Sequence, residues 1–152
     1  MRSSFFRTKV ARVVGVRREV NMIRFRYMVN DVEEAVEFYT KLLGFEVKQT
    51  NLPYFAMLRR DGVDFVLSPP FGPGGAAKPM KDGSKPEAGT GWNRLIINVE
   101  DLSAEVERRG AKVKFRSDVL TGPGGSEVLL EDPSGNPVEL FQPAAESAGK
   151  SA

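Results

Sequence analysis

The chain contains no histidine and no cysteine. Their absence excludes imidazole as a base or ligand, a Ser–His–Asp triad, a two-histidine iron site, thiolate nucleophiles, zinc fingers and iron–sulfur clusters. Carboxylates and phenols remain as candidate acid–base groups. Tyr39 and Tyr54 are candidate phenols, although Tyr39 shares helical spacing with Val32, Val36, Leu42 and Leu43, which favours packing. Trp92, the single tryptophan, offers a stacking surface for a planar ligand or fills an apolar seam. Two GPGG segments, 72–75 and 122–125, carry backbone amides suited to anions. Neither leads into a helix with the Lys-Ser/Thr signature of a P-loop, so they read as a linker turn and a hairpin turn.

The elements that would position these residues come in two similar sets. Residues 23–32 align with 93–102 at an offset of 70, placing Arg24 on Arg94, Val29 on Val99 and Asp31 on Asp101. A helical pattern follows each Asp, with Asp31 and Asp101 as N-caps and Gly44 and Gly110 as C-terminal caps. Strands are expected at 45–48 and 111–114, and again at 55–59 and 127–131. Residues 61–70 parallel 134–143 at an offset of 73, with Gly62 and Gly135 at the turns and Leu67 on Leu140. Each half reads strand–helix–strand–strand–strand, the pattern of an internal duplication.

The 152 residues suit one domain, and 41% hydrophobic with 28% charged residues describes a globular chain. No apolar run approaches the ~18 residues of a membrane span. The net charge of +2 is unevenly placed: residues 1–21 hold six basic residues against one acidic, leaving the rest at −3. The folded body is therefore not expected to bind nucleic acid or membrane. Residues 1–21 read as a basic accessory tail. Their composition also fits an organellar import signal or an electrostatic tether to nucleic acid or an anionic membrane. Otherwise a reducing compartment such as the cytoplasm is expected. Residues 22–143 form the expected domain, with halves 22–70 and 90–143, a Gly/Pro/Lys-rich linker 71–89, and a flexible tail 144–152.

Val29-Asn30-Asp31 with 38-FYTKLLGF-45, and 131-EDPSGNPVEL-140, make the chain resemble the vicinal oxygen chelate superfamily, which includes glyoxalases, bleomycin-resistance proteins and extradiol dioxygenases. The resemblance spans residues 22–143. It implies an α+β fold of two βαβββ modules, a cup-shaped mixed sheet with helices outside, a small molecule in the cup, and a homodimer. Catalytic members hold a metal with four ligands, two from each half. Carried onto this chain, those positions are Arg24, Val66, Arg94 and Glu139. A guanidinium has no lone pair to donate and stays charged, and one carboxylate cannot replace three or four ligands. The resemblance therefore points to the metal-free branch, with no metal and no cofactor.

Strand alternation within that fold directs Arg24, Arg26 and Met28, Asp64, Val66 and Ser68, Trp92, Arg94, Ile96 and Asn98, and Glu139 and Phe141, with Pro137, into the cup. Phe65, Leu67, Val138 and Leu140 then pack against helices. Arg24, Arg26 and Arg94 form a receptor for a carboxylate or phosphate, or pair internally with Asp64 and Glu139. The function implied is small-molecule binding, such as drug or metabolite sequestration. The alternative is a lyase or isomerase using carboxylate or tyrosine acid–base groups, or a metal site built from Asp64 and Glu139.

Overall fold

The computed structural model describes residues 23–89 and 91–145. The basic segment 1–21 and all of the tail beyond residue 145 lie outside the described residues. The elements are β1 (Arg24–Met28), α1 (Val32–Leu43), β2 (Glu46–Asn51), β3 (Phe55–Arg60) and β4 (Val63–Ser68), then β5 (Leu95–Asn98), α2 (Leu102–Arg109), β6 (Lys114–Phe115), β7 (Leu120–Gly122), β8 (Gly125–Glu131) and β9 (Pro137–Pro143). A single turn of 3₁₀-helix, Gly75–Ala77, interrupts the segment between the halves. Among the described residues no helix is long and apolar enough to cross a membrane.

Local chemistry sets the helix boundaries. The Asp31 carboxylate accepts the Glu34 amide at 3.0 Å, and the Asp101 carboxylate accepts the Ala104 amide at 3.1 Å, so each satisfies an N–H with no partner inside its helix. Gly44 ends α1 in the left-handed region at φ 73°, where a side chain would be strained. Gly110 does not repeat this: its φ of −48° is right-handed. The chain winds on beyond α2 instead, with Lys112 and Val113 both donating to the Arg109 carbonyl.

The first sheet runs β1-β4-β3-β2 and the second β5-β9-β8-β6, with β7 also on β8. β1 lies parallel to β4 and β5 parallel to β9, while the other pairs are antiparallel. The architecture is α+β with two βαβββ units. The two parallel ladders have equivalent registers. Phe25–Phe65, Arg26–Val66, Tyr27–Leu67 and Met28–Ser68 correspond to Leu95–Val138, Ile96–Glu139, Ile97–Leu140 and Asn98–Phe141 at the offsets of 70 and 73 residues.

The second half departs from the expected pattern at its edge. The strand expected at 111–114 is confined to Lys114–Phe115 and resumes at Leu120. Arg116 and Ser117 both donate backbone N–H to the Leu129 carbonyl, two residues facing one, and the Ser117 hydroxyl accepts the Leu129 amide at 3.0 Å. This side-chain bond replaces a ladder bond and breaks the strand in two.

Phe65 and Leu67 of β4, and Val138 and Leu140 of β9, face the helices as alternation requires. Together with Tyr39, Phe38 and Leu43 of α1 and Leu102 of α2 they form one hydrophobic cluster spanning both halves. The Tyr39 ring meets Tyr27, Phe38, Phe45 and Phe65 edge-on, with centroids 4.8–6.5 Å apart. At the C-terminal end of α1, Arg109 and Arg60 donate to the Leu42 and Leu43 carbonyls at 2.6 and 2.5 Å, satisfying helix-end acceptors from outside.

The halves are joined by the loop Asp132–Asn136. One Asp132 carboxylate oxygen accepts the Ser134 and Asn136 amides at 2.9 and 2.8 Å. The other accepts the Tyr39 hydroxyl and the Asn136 side-chain amide, both at 2.9 Å. Asn136 also donates to the Met28 carbonyl at 2.8 Å and accepts the Gly89 amide at 3.0 Å. The Ser134 hydroxyl accepts the Asn30 amide at 2.8 Å. Tyr27 completes the joint, donating to the Pro137 carbonyl at 3.1 Å and accepting the Leu95 amide at 2.7 Å.

Asp132→Ala removes an acceptor serving four donors in a buried site, so urea unfolding should show a loss of about 3 kcal/mol or more. Tyr39→Phe removes one donor and leaves three, and should cost about 1–2 kcal/mol by the same measurement. Equal losses in the two variants would show that the loop does not act as a hub.

Candidate functional site

Alternation along β1 places Arg24 and Arg26 on the face away from the helix, and both are exposed. Among the described residues neither side chain forms an ion pair or a hydrogen bond. Met28, at the end of the strand, is half-buried. Asp64, Val66 and Ser68 of β4 are buried. Asp64 faces Arg24 in the ladder, yet its carboxylate is held by Arg59 of the neighbouring strand, at 2.6 and 3.3 Å.

The second half settles its charges in a similar way. Arg94 donates from Nε to the Glu139 carboxylate at 3.0 Å, and its guanidinium lies 3.6 Å from Glu127. Glu139 is 5% exposed, so Arg94 is the compensation for a buried charge. The expected grouping of Arg24 with Arg94 and Glu139 is thus only partly formed: the last two pair and Arg24 stands apart. Glu127, absent from the expected set, is the further partner. It faces Phe141 across β8 and β9, two residues along from Leu129–Glu139, and so shares the face of Glu139. Trp92 is 73% exposed, with the Arg116 guanidinium 5.7 Å from its ring centre. Arg116 is in turn held by Glu131 at 3.1 Å.

The remaining expected residues divide between cavities. Arg26 and Ser68 border a cavity of about 340 Å³ beneath residues 69–77, with Asn51, Tyr54, Phe55 and Phe71. Ile96 and Asn98 border a different cavity, about 260 Å³, with Phe45 and Arg60 of the first half. Phe141 is half-buried on β9. A larger groove of about 680 Å³ runs between the ends of α1 and α2. Two of its arginines, Arg108 and Arg109, are already paired with Glu105 there, so its size is not matched by available charge.

The phenols differ sharply. Tyr39 is fully buried, and burial together with the adjacent Asp132 carboxylate raises its hydroxyl well above the ordinary range. Burial pushes Tyr27 up to about 12, opposed in part by the Leu95 amide. Neither is a base near neutral pH. Tyr54 is 40% exposed, and its ring lies against Gly72.

The four positions where a metal would be held on the resemblance are Arg24, Val66, Arg94 and Glu139. Two lack a lone pair, one is apolar, and the one carboxylate is occupied by Arg94. This donor set does not fit a transition metal. Among the described residues no three carboxylates come together. Asp64 and Glu139, the other pair weighed for a metal, lie on different sheets and each has its own arginine.

Comparison with known proteins points one way. The family model for the Glyoxalase/Bleomycin resistance protein/Dioxygenase superfamily matches residues 21–140. Lactoylglutathione lyase from Agrobacterium tumefaciens superposes with a TM-score of 0.61 at 17% identity, covering 82% of this chain and 95% of that one. The antibiotic-binding protein TnmS3 from Streptomyces sp. CB03234 gives 0.57 at 21% identity, covering 84% and 100%. The fosfomycin resistance protein FosX from Listeria monocytogenes gives 0.57 at 14% identity, covering 84% and 94%. These identities carry the fold. No curated protein sequence matches the chain.

Arg94→Met leaves the Glu139 carboxylate buried beside no cation in bonding distance, and should cost about 3 kcal/mol in urea unfolding. Glu139→Gln keeps an acceptor for Arg94 and leaves Glu127 beside it, so its cost should fall below about 1.5 kcal/mol; the reverse ranking would contradict this assignment of charges. Alkaline titration tests the phenols. Because Tyr27 is held above the 10.0 of a free phenol, its contribution to stability is full below pH 10 and is lost as the pH rises toward 12. Phenolate absorbance from Tyr27 and Tyr39, assigned with Phe variants, should therefore appear together with unfolding rather than before it.

Proposed function

The chain belongs to the glyoxalase/bleomycin resistance protein/dioxygenase superfamily, and from that premise we propose that it binds a small organic molecule without a transition metal. The observation that carries this reading is the pair Arg94–Glu139. Its 3.0 Å hydrogen bond occupies the one carboxylate among the four family ligand positions, and an arginine and a valine fill the positions offered by the first half. Among the described residues the cup is then left with no group of three carboxylates free to hold a metal. Such a site supports stoichiometric holding of a ligand, as in sequestration of a drug or metabolite.

A second copy of the chain fits the same reading. Trp92, Ile96 and Leu120 leave large apolar side chains exposed on the second half, the kind of surface that a homodimer covers. Domain limits of 22–143, with the tails outside the binding unit, belong to the proposal as well.

Elemental analysis of protein purified without chelators should find less than about one-tenth equivalent of zinc, iron, nickel or manganese, well below the full occupancy of a resident metal site. Native mass spectrometry of the same preparation should show a dimer of the 16.8 kDa chain carrying a small organic ligand or accepting one from a metabolite extract. One metal per chain, lost on Glu139→Gln, would overturn the metal-free reading; a strictly monomeric species at tens of micromolar, roughly where weak interfaces still form, would overturn the dimer.

A further inference from the structure

The cavity beneath residues 69–77 is shaped with a specificity that the fold does not demand. The segment leaves β4 and folds back over the end of the first sheet. It rests on the Tyr54 ring at Gly72, where φ is 97° and a Cβ atom would lie 2.5 Å from Tyr54 Cδ1. Only glycine permits that approach. The result is a pocket of about 340 Å³, at the small end of the ~300–1,000 Å³ usual for small-molecule sites. Three aromatic residues, Tyr54, Phe55 and Phe71, form its walls, with Asn51 and Ser68 as polar neighbours.

Charge makes the pocket selective. Among the described residues Arg26 is the one cationic residue lining it, and no carboxylate lines it. Arg94, Arg108, Arg109 and Arg116 each have a carboxylate partner within 4 Å, and Arg26 has none among the described residues. A guanidinium presents a planar fork of donors that matches the two oxygens of a carboxylate. A single cation compensates a single negative charge. The surrounding rings favour a planar apolar body, which can lie against an aromatic face.

We propose that this pocket binds aromatic monocarboxylates of one or two rings, with the carboxylate on Arg26 and the ring system among Tyr54, Phe55 and Phe71. The proposal rests on the small-molecule reading above and adds the place and the chemical class of the ligand. A phosphate monoester, with up to two negative charges, meets no second cation among the described lining residues and is bound less well.

The test is isothermal titration of the full chain with 2-naphthoate, 2-naphthamide and 1-naphthyl phosphate. The naphthoate should bind in the sub-millimolar range, and the amide and the phosphate each about tenfold or more weaker, as expected for loss of a charge-assisted bond or for an uncompensated charge. Arg26→Gln, at an exposed position, should weaken naphthoate about tenfold and leave the amide unchanged. Arg108→Gln removes a charge from the outer face of α2 and should leave naphthoate binding unaltered. Gly72→Ala should weaken naphthoate while the circular dichroism spectrum stays native. The proposal is overturned if Arg26→Gln leaves naphthoate binding intact, if the amide matches the acid, or if the phosphate binds best. It is also overturned if naphthoate fails to bind while a co-purified ligand is found elsewhere, a result that leaves the broader reading standing; a resident metal with no organic ligand would instead remove the broader reading.

Discussion

One carboxylate holds the two halves in a common frame. Asp132 is nearly excluded from water, and an isolated charge there would be strongly unfavourable. Four donors offset that cost, and they do not all come from one place. Two are backbone amides of its own loop, one is the Asn136 side chain, and one is the Tyr39 hydroxyl on the helix of the other half. Satisfying Asp132 therefore fixes the loop conformation and the seating of α1 together. Asn136 extends the constraint to the end of β1 through the Met28 carbonyl, and Tyr27 extends it to the start of β5 and β9. The strands that carry the candidate site residues inherit their relative positions from this joint.

The same economy governs the charges on the site face. On that face the buried carboxylates Asp64 and Glu139 are matched by Arg59 and Arg94 of the same half, and the half-buried Glu131 is matched by Arg116. These partners come from neighbouring strands or from the segment leading into one, so each of these carboxylates is compensated within its own half. β1 contributes two arginines to that face, and neither enters this pairing scheme among the described residues. The face of the first half is consequently cationic against an aromatic background, an environment quite unlike the oxygen- and nitrogen-rich donor set that a divalent ion requires.

Much of this was readable from period and punctuation. The alternation around Phe65, Leu67, Val138 and Leu140 placed the core, and Asp31, Asp101 and Gly44 placed the helix ends, because these signals are local. The two offsets relate one half to the other, so the ladders correspond once one is known; the pairing of β1 with β4 and of β5 with β9 comes from the structure. What escaped depends on contacts between distant residues. The loop 132–136 was visible as a motif, but its role needs Tyr39, which is 93 residues away. Arg59 beside Asp64 and Glu127 beside Arg94 follow from strand pairing, which a linear reading of β1 and β9 does not reveal. Gly110 resembled Gly44 in sequence, yet the backbone beyond it needs no reversal of hand.

Gly89 gives the long connection between the halves an unusual mechanical character. Its amide is held by the Asn136 side chain, and at φ 78° a Cβ atom would stand 2.4 Å from the Ser134 carbonyl oxygen. With Gly72 lying on Tyr54 at the other side, the connection is anchored near both ends, and the hydrogen bonds between them, such as those of Met80 with Gly83 and Ser84, are local. Lengthening a stretch of chain whose ends are already fixed costs little: doubling it adds only about 0.6 kcal/mol of closure entropy. Residues 78–88 are thus a natural insertion point, where a reporter or a further domain can be accommodated without altering how either sheet is built.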